Sequence, residues 1–157
     1  MDDYNPLYGS AAFRQANIEL CLSIRPNFIM TLGGGLPCSP MEFERCARQF
    51  FNKVQRKALG RNWNKHPVHE QITAVGFREK ETTNMHMHLV LHVTERMKSQ
   101  LHRSCAVWKS IRIAGDYHTD ILDNPTAYAI YITKEARKRT TAEEVFTYVP
   151  KPYLPKL

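Results

Sequence analysis

Two histidines one residue apart, His86 and His88, open the apolar run Leu89-Val90-Leu91. Side chains at i and i+2 of an extended strand leave the same face, so these imidazoles point together while Met87 enters the opposite layer. Two imidazoles aimed at one spot are half of a metal site. The other half can come across a hairpin. Residues 71–77 read as the preceding strand, Thr82-Thr83-Asn84 as the turn, and residues 85–93 as the returning strand. Antiparallel pairing that joins Glu79 to His88 also joins Glu81 to His86, which sets both carboxylates in phase with the histidines and Arg78 and Lys80 out of phase. Glu79 lies deeper in the strand and is the expected third ligand, with Glu81 the alternative. Two imidazoles and one carboxylate with open positions suit Mn²⁺ or Mg²⁺ and leave room for a phosphate oxygen. A structural zinc would call for four closed ligands, commonly with cysteines, which are absent locally. His92 is in phase but further along, where a structural role is expected.

A second group of reactive side chains lies downstream. Asp123-Asn124-Pro125 announces a final helix over residues 126–139, and on it Tyr131 and Lys134 are about 60° apart on the helical wheel, on one face. A tyrosine can attack a phosphodiester to form a covalent intermediate if its phenol is held in line and nearby cations offset the charge that builds on phosphorus. Lys134 can supply that charge, and a metal can polarise the same phosphate. Taken alone, the pair is better explained as a half-buried Tyr with a snorkelling Lys.

These residues need a frame. The chain has 157 residues and 43% hydrophobic content, enough for one core, and a single domain over residues 1–157 is expected. After a polar start, Ser10 can cap a short helix through Leu22. Residues 27–32 read as the first core strand, stopped by Gly33-Gly34-Gly35. A phosphate-binding loop would continue into Gly-Lys-Ser/Thr and a helix, which is missing, so the glycines read as a flexible turn. Ser39-Pro40-Met41-Glu42 is a helix start with a capping box, and Phe43, Cys46, Ala47, Phe50, Phe51, Val54 and Ala58 make one apolar stripe to Leu59-Gly60. Thr94 can cap a helix carrying Met97, Leu101, Cys105 and Trp108, and residues 117–122 read as a short strand. The order helix, strand, helix, strand, strand, helix, strand, helix suits an α+β fold with a central antiparallel β-sheet flanked by helices, of ferredoxin-like type. The core is expected over about residues 27–138, with the N-terminal helix and the proline-containing C-terminal tail peripheral.

Lys and Arg number 22 against 15 Asp and Glu, a formal charge of +7 with pI near 9.4. That favours a polyanionic partner, nucleic acid ahead of membrane, because no basic amphipathic helix with a wide apolar face stands out. Arg61, Trp63 and Lys65 form a basic connection with an aromatic inside it, the composition of a single-strand contact loop and equally of an ordinary surface loop. Arg137-Lys138-Arg139 adds a basic stretch. The four cysteines form no CxxC pair and read as reduced thiols. With no signal-peptide pattern and no membrane span, the expected compartment is the cytoplasm, or the nucleus of a eukaryotic host.

His86-Met87-His88 followed by Leu89-Val90-Leu91, with Tyr131-Ile132-Thr133-Lys134 downstream, resembles the HUH endonucleases, specifically the rolling-circle replication initiator (Rep) nucleases and related transposases. Phe28-Ile29-Met30-Thr31-Leu32 is similar to that family's first motif, and Phe77-Arg78-Glu79 to its ligand-bearing strand, which supports Glu79. The resemblance covers roughly residues 27–138. It implies metal binding by His86, His88 and a third polar residue, with Tyr131 as nucleophile toward single-stranded DNA, leaving a 5′-phosphotyrosyl link and a free 3′-hydroxyl. The implied partners are a specific origin or transposon-end sequence, hairpin-bearing in some cases, and a helicase from another domain or protein, since no P-loop follows. Tyr128 also precedes the lysine; two-tyrosine family members space theirs one residue wider, so Tyr128 reads as packing or DNA contact. The competing expectation is a non-catalytic single-stranded nucleic-acid-binding domain of ferredoxin-like fold that grips DNA with Arg61, Trp63, Lys65 and the basic stretch 137–139.

Overall fold

The central strands β1, β2 and β3 alternate between two interiors, and the histidines face the smaller one. The computed structural model describes residues 11–79, 85–134 and 145–152. Its elements are α1 (Ala11–Ser23), β1 (Phe28–Gly33), α2 (Pro40–Leu59), β2 (Thr73–Glu79), β3 (His86–His92), α3 (Glu95–His102), α4 (Cys105–Ile111), β4 (Tyr117–Ile121), α5 (Pro125–Ile132) and β5 (Val145–Tyr148). The five strands form one sheet in the order β4-β1-β3-β2-β5, each neighbouring pair antiparallel. From β1 to β4 this is the β-α-β-β-α-β arrangement of the ferredoxin-like fold, with β5 added on the β2 edge. The expected α+β class and helix-flanked antiparallel sheet are therefore present.

The larger interior holds Phe28, Met30 and Leu32 of β1 and Met87, Leu89 and Leu91 of β3 against the apolar stripe of α2 and against Met97, Leu101, Val107 and Trp108 of α3 and α4. Trp108 packs edge to face on Phe43 and Phe50, both at 5.8 Å, and its buried Nε1 donates to the Gly33 carbonyl (3.0 Å), so its polar atom is satisfied. On the other face Val75, Phe77 and Val90 meet Ile18 and Cys21 of α1 and Ala129 and Ile132 of α5.

Helix α2 begins as its sequence dictates: the Ser39 hydroxyl accepts from the Glu42 amide (3.1 Å) and Pro40 opens the first turn. The capping box is only half made, because the Glu42 carboxylate turns to Arg45 (2.6 Å). Residues 94–111 do not form one helix. Ser104 donates its hydroxyl to the Gln100 carbonyl (2.6 Å), a local bond that competes with helix continuation, and α4 restarts at Cys105 with Trp108 turned inward.

Two described segments outside residues 27–138, α1 and β5, add buried side chains to the two interiors. Helix α1 supplies Ile18 and Cys21 to the second interior, and burial pushes the Cys21 thiol up to about 12. The stretch Val145-Phe146-Thr147-Tyr148, alternating β-branched and aromatic residues, is a fifth strand that buries Phe146 and Tyr148 on the α2 side. A buried polar latch holds it: Gln55 of α2 donates to the Tyr148 hydroxyl (2.8 Å) and accepts from the Ile72 amide (2.8 Å), while Tyr148 donates to Asn52 (2.6 Å). No helix among the described residues is long and apolar enough to cross a membrane. All four cysteines carry free thiols.

Replacing Gln55 with Leu keeps the volume but strands the Ile72 N–H. The expected cost is about 1–3 kcal/mol of unfolding free energy, read as a lower urea midpoint at unchanged slope; a variant as stable as wild type would show that the latch contributes nothing.

Candidate active site

Strand register decides which side chains share a row on the α5 side of the sheet. Thr31 of β1 stands opposite His88, and Gly33 opposite His86. Across β2, Phe77 pairs with His88 and Glu79 with His86. The expected pairing of Glu79 with His88 is thus displaced by two residues. A shift of two preserves parity, and Glu79 still faces the histidines. Its carboxylate leans along the diagonal, placing Oε1 3.2 Å from His88 Nε2. Glu81 lies outside the described residues.

His88 is held from both sides. Its Nδ1 lies 3.2 Å from the Thr31 hydroxyl, which orients the ring and leaves Nε2 to Glu79, the arrangement by which an outer partner fixes a metal-binding imidazole. The Nε2 of His86 instead meets Asp116 Oδ2 at 3.4 Å, in the segment just before β4. Gly33 makes that approach possible. It leaves no room for a side chain between β3 and β4: a Cβ there would lie 2.8 Å from the Asp116 Cβ, and the Gly33 amide donates to the Asp116 carbonyl (2.8 Å). The triple glycine is therefore partly strand and not simply a turn, and Gly35 alone takes a left-handed φ of 67°. Asp116 was not among the expected ligands; nothing local marks it, since its place depends on the pairing of β4 with β1. His92, expected to be structural, has its Nδ1 2.8 Å from the Arg25 carbonyl.

Helix α5 covers this row. Asn124 caps it by accepting from the Ala127 amide (3.0 Å), and Pro125 opens it. Ala129 and Ile132 point into the second interior, which leaves the tyrosines on the flank toward the histidines. The Tyr131 ring meets the His88 ring edge to face at 6.1 Å and the Tyr128 ring at 5.9 Å. Lys134 follows the helix end and sets its Nζ 4.3 Å from the Tyr131 ring centroid. Tyr131 is 49% exposed. Tyr128 is deeper: burial, followed by the charge of a Tyr131 phenolate, pushes its phenol up to about 12 against a lowering hydrogen bond from Thr31. Of the two tyrosines, Tyr131 is the one open to an incoming strand.

His88, Glu79, Tyr131 and Lys134 are thus brought together, with His86 beside them. Among the described residues no group of three or more His, Cys, Asp or Glu side chains is gathered closely enough to hold one ion; the arrangement is two histidine–carboxylate pairs. The His88–Glu79 pair fits half of a site, since adjacent ligands about 2.1 Å from a hard divalent ion stand roughly 3 Å apart, and imidazole with carboxylate suits Mn²⁺ or Mg²⁺. The other expected contacts are elsewhere. Trp63 shares a hollow with Tyr148, on the α2 side of the sheet, and Arg61 and Lys65 flank it in sequence, so this loop does not join Tyr131. Arg137 and Lys138 lie outside the described residues. No family model, curated protein or solved structure matches this chain.

Two outcomes follow from this geometry. Gly33→Ala should cost about 1–3 kcal/mol in denaturant unfolding by forcing Asp116 aside; an unchanged midpoint would mean that the approach is not tight. The raised Tyr128 pKa contributes stability that is complete below its ordinary value near 10 and is lost as pH rises through about 12. Melting of Tyr128→Phe should therefore fall less steeply than wild type between those pH values, and parallel curves would contradict the assignment.

Proposed function

We propose that the chain is a metal-dependent endonuclease of HUH type that nicks and joins single-stranded DNA through a covalent 5′-phosphotyrosine. The observation that carries this reading is the meeting of Tyr131 with His88, at 6.1 Å between rings, where His88 also faces Glu79 and Lys134 lies against the tyrosine. Two stretches more than 40 residues apart, the hairpin bearing Glu79 and His88 and the segment bearing Tyr131 and Lys134, supply the side-chain types that phosphodiester chemistry needs.

In the proposed reaction the Tyr131 phenol releases its proton to solvent as its oxygen attacks a backbone phosphorus and forms the phosphotyrosyl bond. The bond from phosphorus to the 3′-oxygen breaks, and the leaving oxygen takes up a proton to become a free 3′-hydroxyl. Attack of a 3′-hydroxyl on the phosphotyrosine reverses the step and reseals or transfers the strand. Lys134 offsets negative charge as it grows on the phosphate and phenolate. His88 and Glu79, the pair whose spacing fits, would supply two ligands to a Mn²⁺ or Mg²⁺ ion, with His86 beside them, and the ion when bound would supply Lewis-acid polarisation of a nonbridging phosphate oxygen. Thr31 keeps the His88 ring in position. Tyr128, kept as a phenol by burial, packs beside the nucleophile. Replication initiation at an origin and single-strand transposition use this same chemistry, and a helicase would come from another domain or protein.

Incubation with Mn²⁺ and a pool of single-stranded oligonucleotides that includes stem-loop origins should give a protein–DNA adduct resistant to SDS. Tyr131→Phe is expected to abolish it, and Lys134→Ala to slow it about 10²–10³-fold. His86→Ala and His88→Ala should weaken it sharply, while Tyr128→Phe keeps it. An adduct that survives Tyr131→Phe would mean that another side chain is the nucleophile, and tight binding with no cleavage of any pool member would favour a non-catalytic single-strand-binding domain.

A further inference from the structure

The basic excess of this protein has one address. Between Arg45 and His69 there are seven Lys and Arg and no Asp or Glu; the other 15 basic residues balance all 15 acidic ones, so this stretch alone accounts for the net +7. It comprises most of α2 and the turn that follows. The two carboxylates at the start of α2 are already engaged, Glu42 with Arg45 (2.6 Å) and Glu44 with Arg78 of β2 (3.3 Å). Beyond them the solvent face of the helix is wholly cationic or amide. Arg45, Arg48, Asn52 and Arg56 recur at i, i+3, i+7 and i+11, a stripe about 16 Å long, and with Gln49 and Lys53 they line a shallow hollow of about 410 Å³.

A second hollow, about 510 Å³, continues from the first and shares Arg48 and Asn52 with it. Its walls add Trp63, the Asn64 amide and Lys151. Trp63 is only half-buried. Arg48 is held in place by stacking over the Phe146 ring at 4.8 Å. A row of cations leading into a hollow that offers an aromatic face and amide groups is the chemistry of a strand whose phosphates follow the row and whose unpaired base stacks at its end. A duplex keeps its bases stacked and could use only the row. An anionic membrane, like a duplex, could use only the row of cations, since the apolar side chains of α2 are spent on the core.

We infer that the outer face of α2 and the Trp63 hollow form a second nucleic-acid site, for single-stranded DNA, on the opposite side of the sheet from Tyr131. It rests on the charge and shape of this face and does not depend on the chemistry of Tyr131.

The test uses the full chain carrying Tyr131→Phe, so that binding is read without covalent capture, and a fluorescent 20-nucleotide single strand followed by anisotropy across a salt series. Arg48→Gln with Arg56→Gln should weaken binding about tenfold or more for every sequence tried and reduce the slope of log K against log salt by about 1.4, at roughly 0.7 for each phosphate no longer neutralised. Trp63→Ala should cost about 5-fold to 100-fold with the salt slope unchanged. Single strands should quench a tryptophan emission that Trp63→Phe removes. A control that takes two charges from α3 and α4, Arg96→Gln with Lys109→Gln, should leave the slope within error of the parent. Unchanged affinity and slope in the α2 variant, an equal loss in the control, or tighter binding of duplex without quenching would each overturn the inference. Adduct formation, measured separately with Tyr131 present, reports on the nuclease reading alone; either result can hold without the other.

Discussion

The pairing of β1 with β3 is the constraint on which the rest depends. These two strands lie at the middle of the sheet, and their register sets Thr31 beside His88 and Gly33 beside His86 while burying Phe28, Met30, Leu32, Met87, Leu89 and Leu91 on the other face. Slipping it by one residue would carry the histidines into the α2 core and expose the methionine and leucines. The apolar face therefore enforces the position of the polar one. Trp108 fastens the end of β1 through the Gly33 carbonyl, at the residue whose missing side chain lets His86 and Asp116 meet. Stability and site geometry share that one position.

The two faces divide the work. Large aromatic and aliphatic side chains collect under α2, where apolar burial supplies most of the driving force, so α2 can carry an unbroken cationic surface outward. The opposite face is thinner, closed by α1 and α5, and polar groups remain toward its open end. There Thr31 reaches both His88 and Tyr128. That link gives the two tyrosines different characters: Tyr128 is desolvated and tied to the sheet, whereas Tyr131, one turn on, stays accessible beside Lys134.

Local chemistry is legible wherever a short stretch suffices. Ser39-Pro40 caps the helix it announces, Asn124-Pro125 does the same for α5, and the period of two in residues 86–91 puts Met87 and the histidines on opposite faces. Expectation and structure part where the answer depends on distant partners. The hairpin register is displaced by two, a shift that parity alone leaves open. The helix break at Ser104 depends on where Trp108 must reach. β5 escapes a sequence reading because four residues before a proline-bearing tail look like linker until β2 presents an edge and Gln55 a buried partner.

By itself the sequence determined most of the element types, the α+β class, the shared face of His86 and His88, and the adjacency of Tyr131 and Lys134, although α5 ends at Ile132 and Lys134 lies just past it; each follows from periodicities of two or 3.6 residues along a single element. Only the tertiary structure decided that Glu79 pairs with His86 and reaches His88 along the diagonal, that Asp116 meets His86 across a glycine, that Tyr128 lies deeper than Tyr131, and that the Trp63 loop lies across the sheet from the tyrosine. Those relations are set by strand register and layer packing, which no local period encodes.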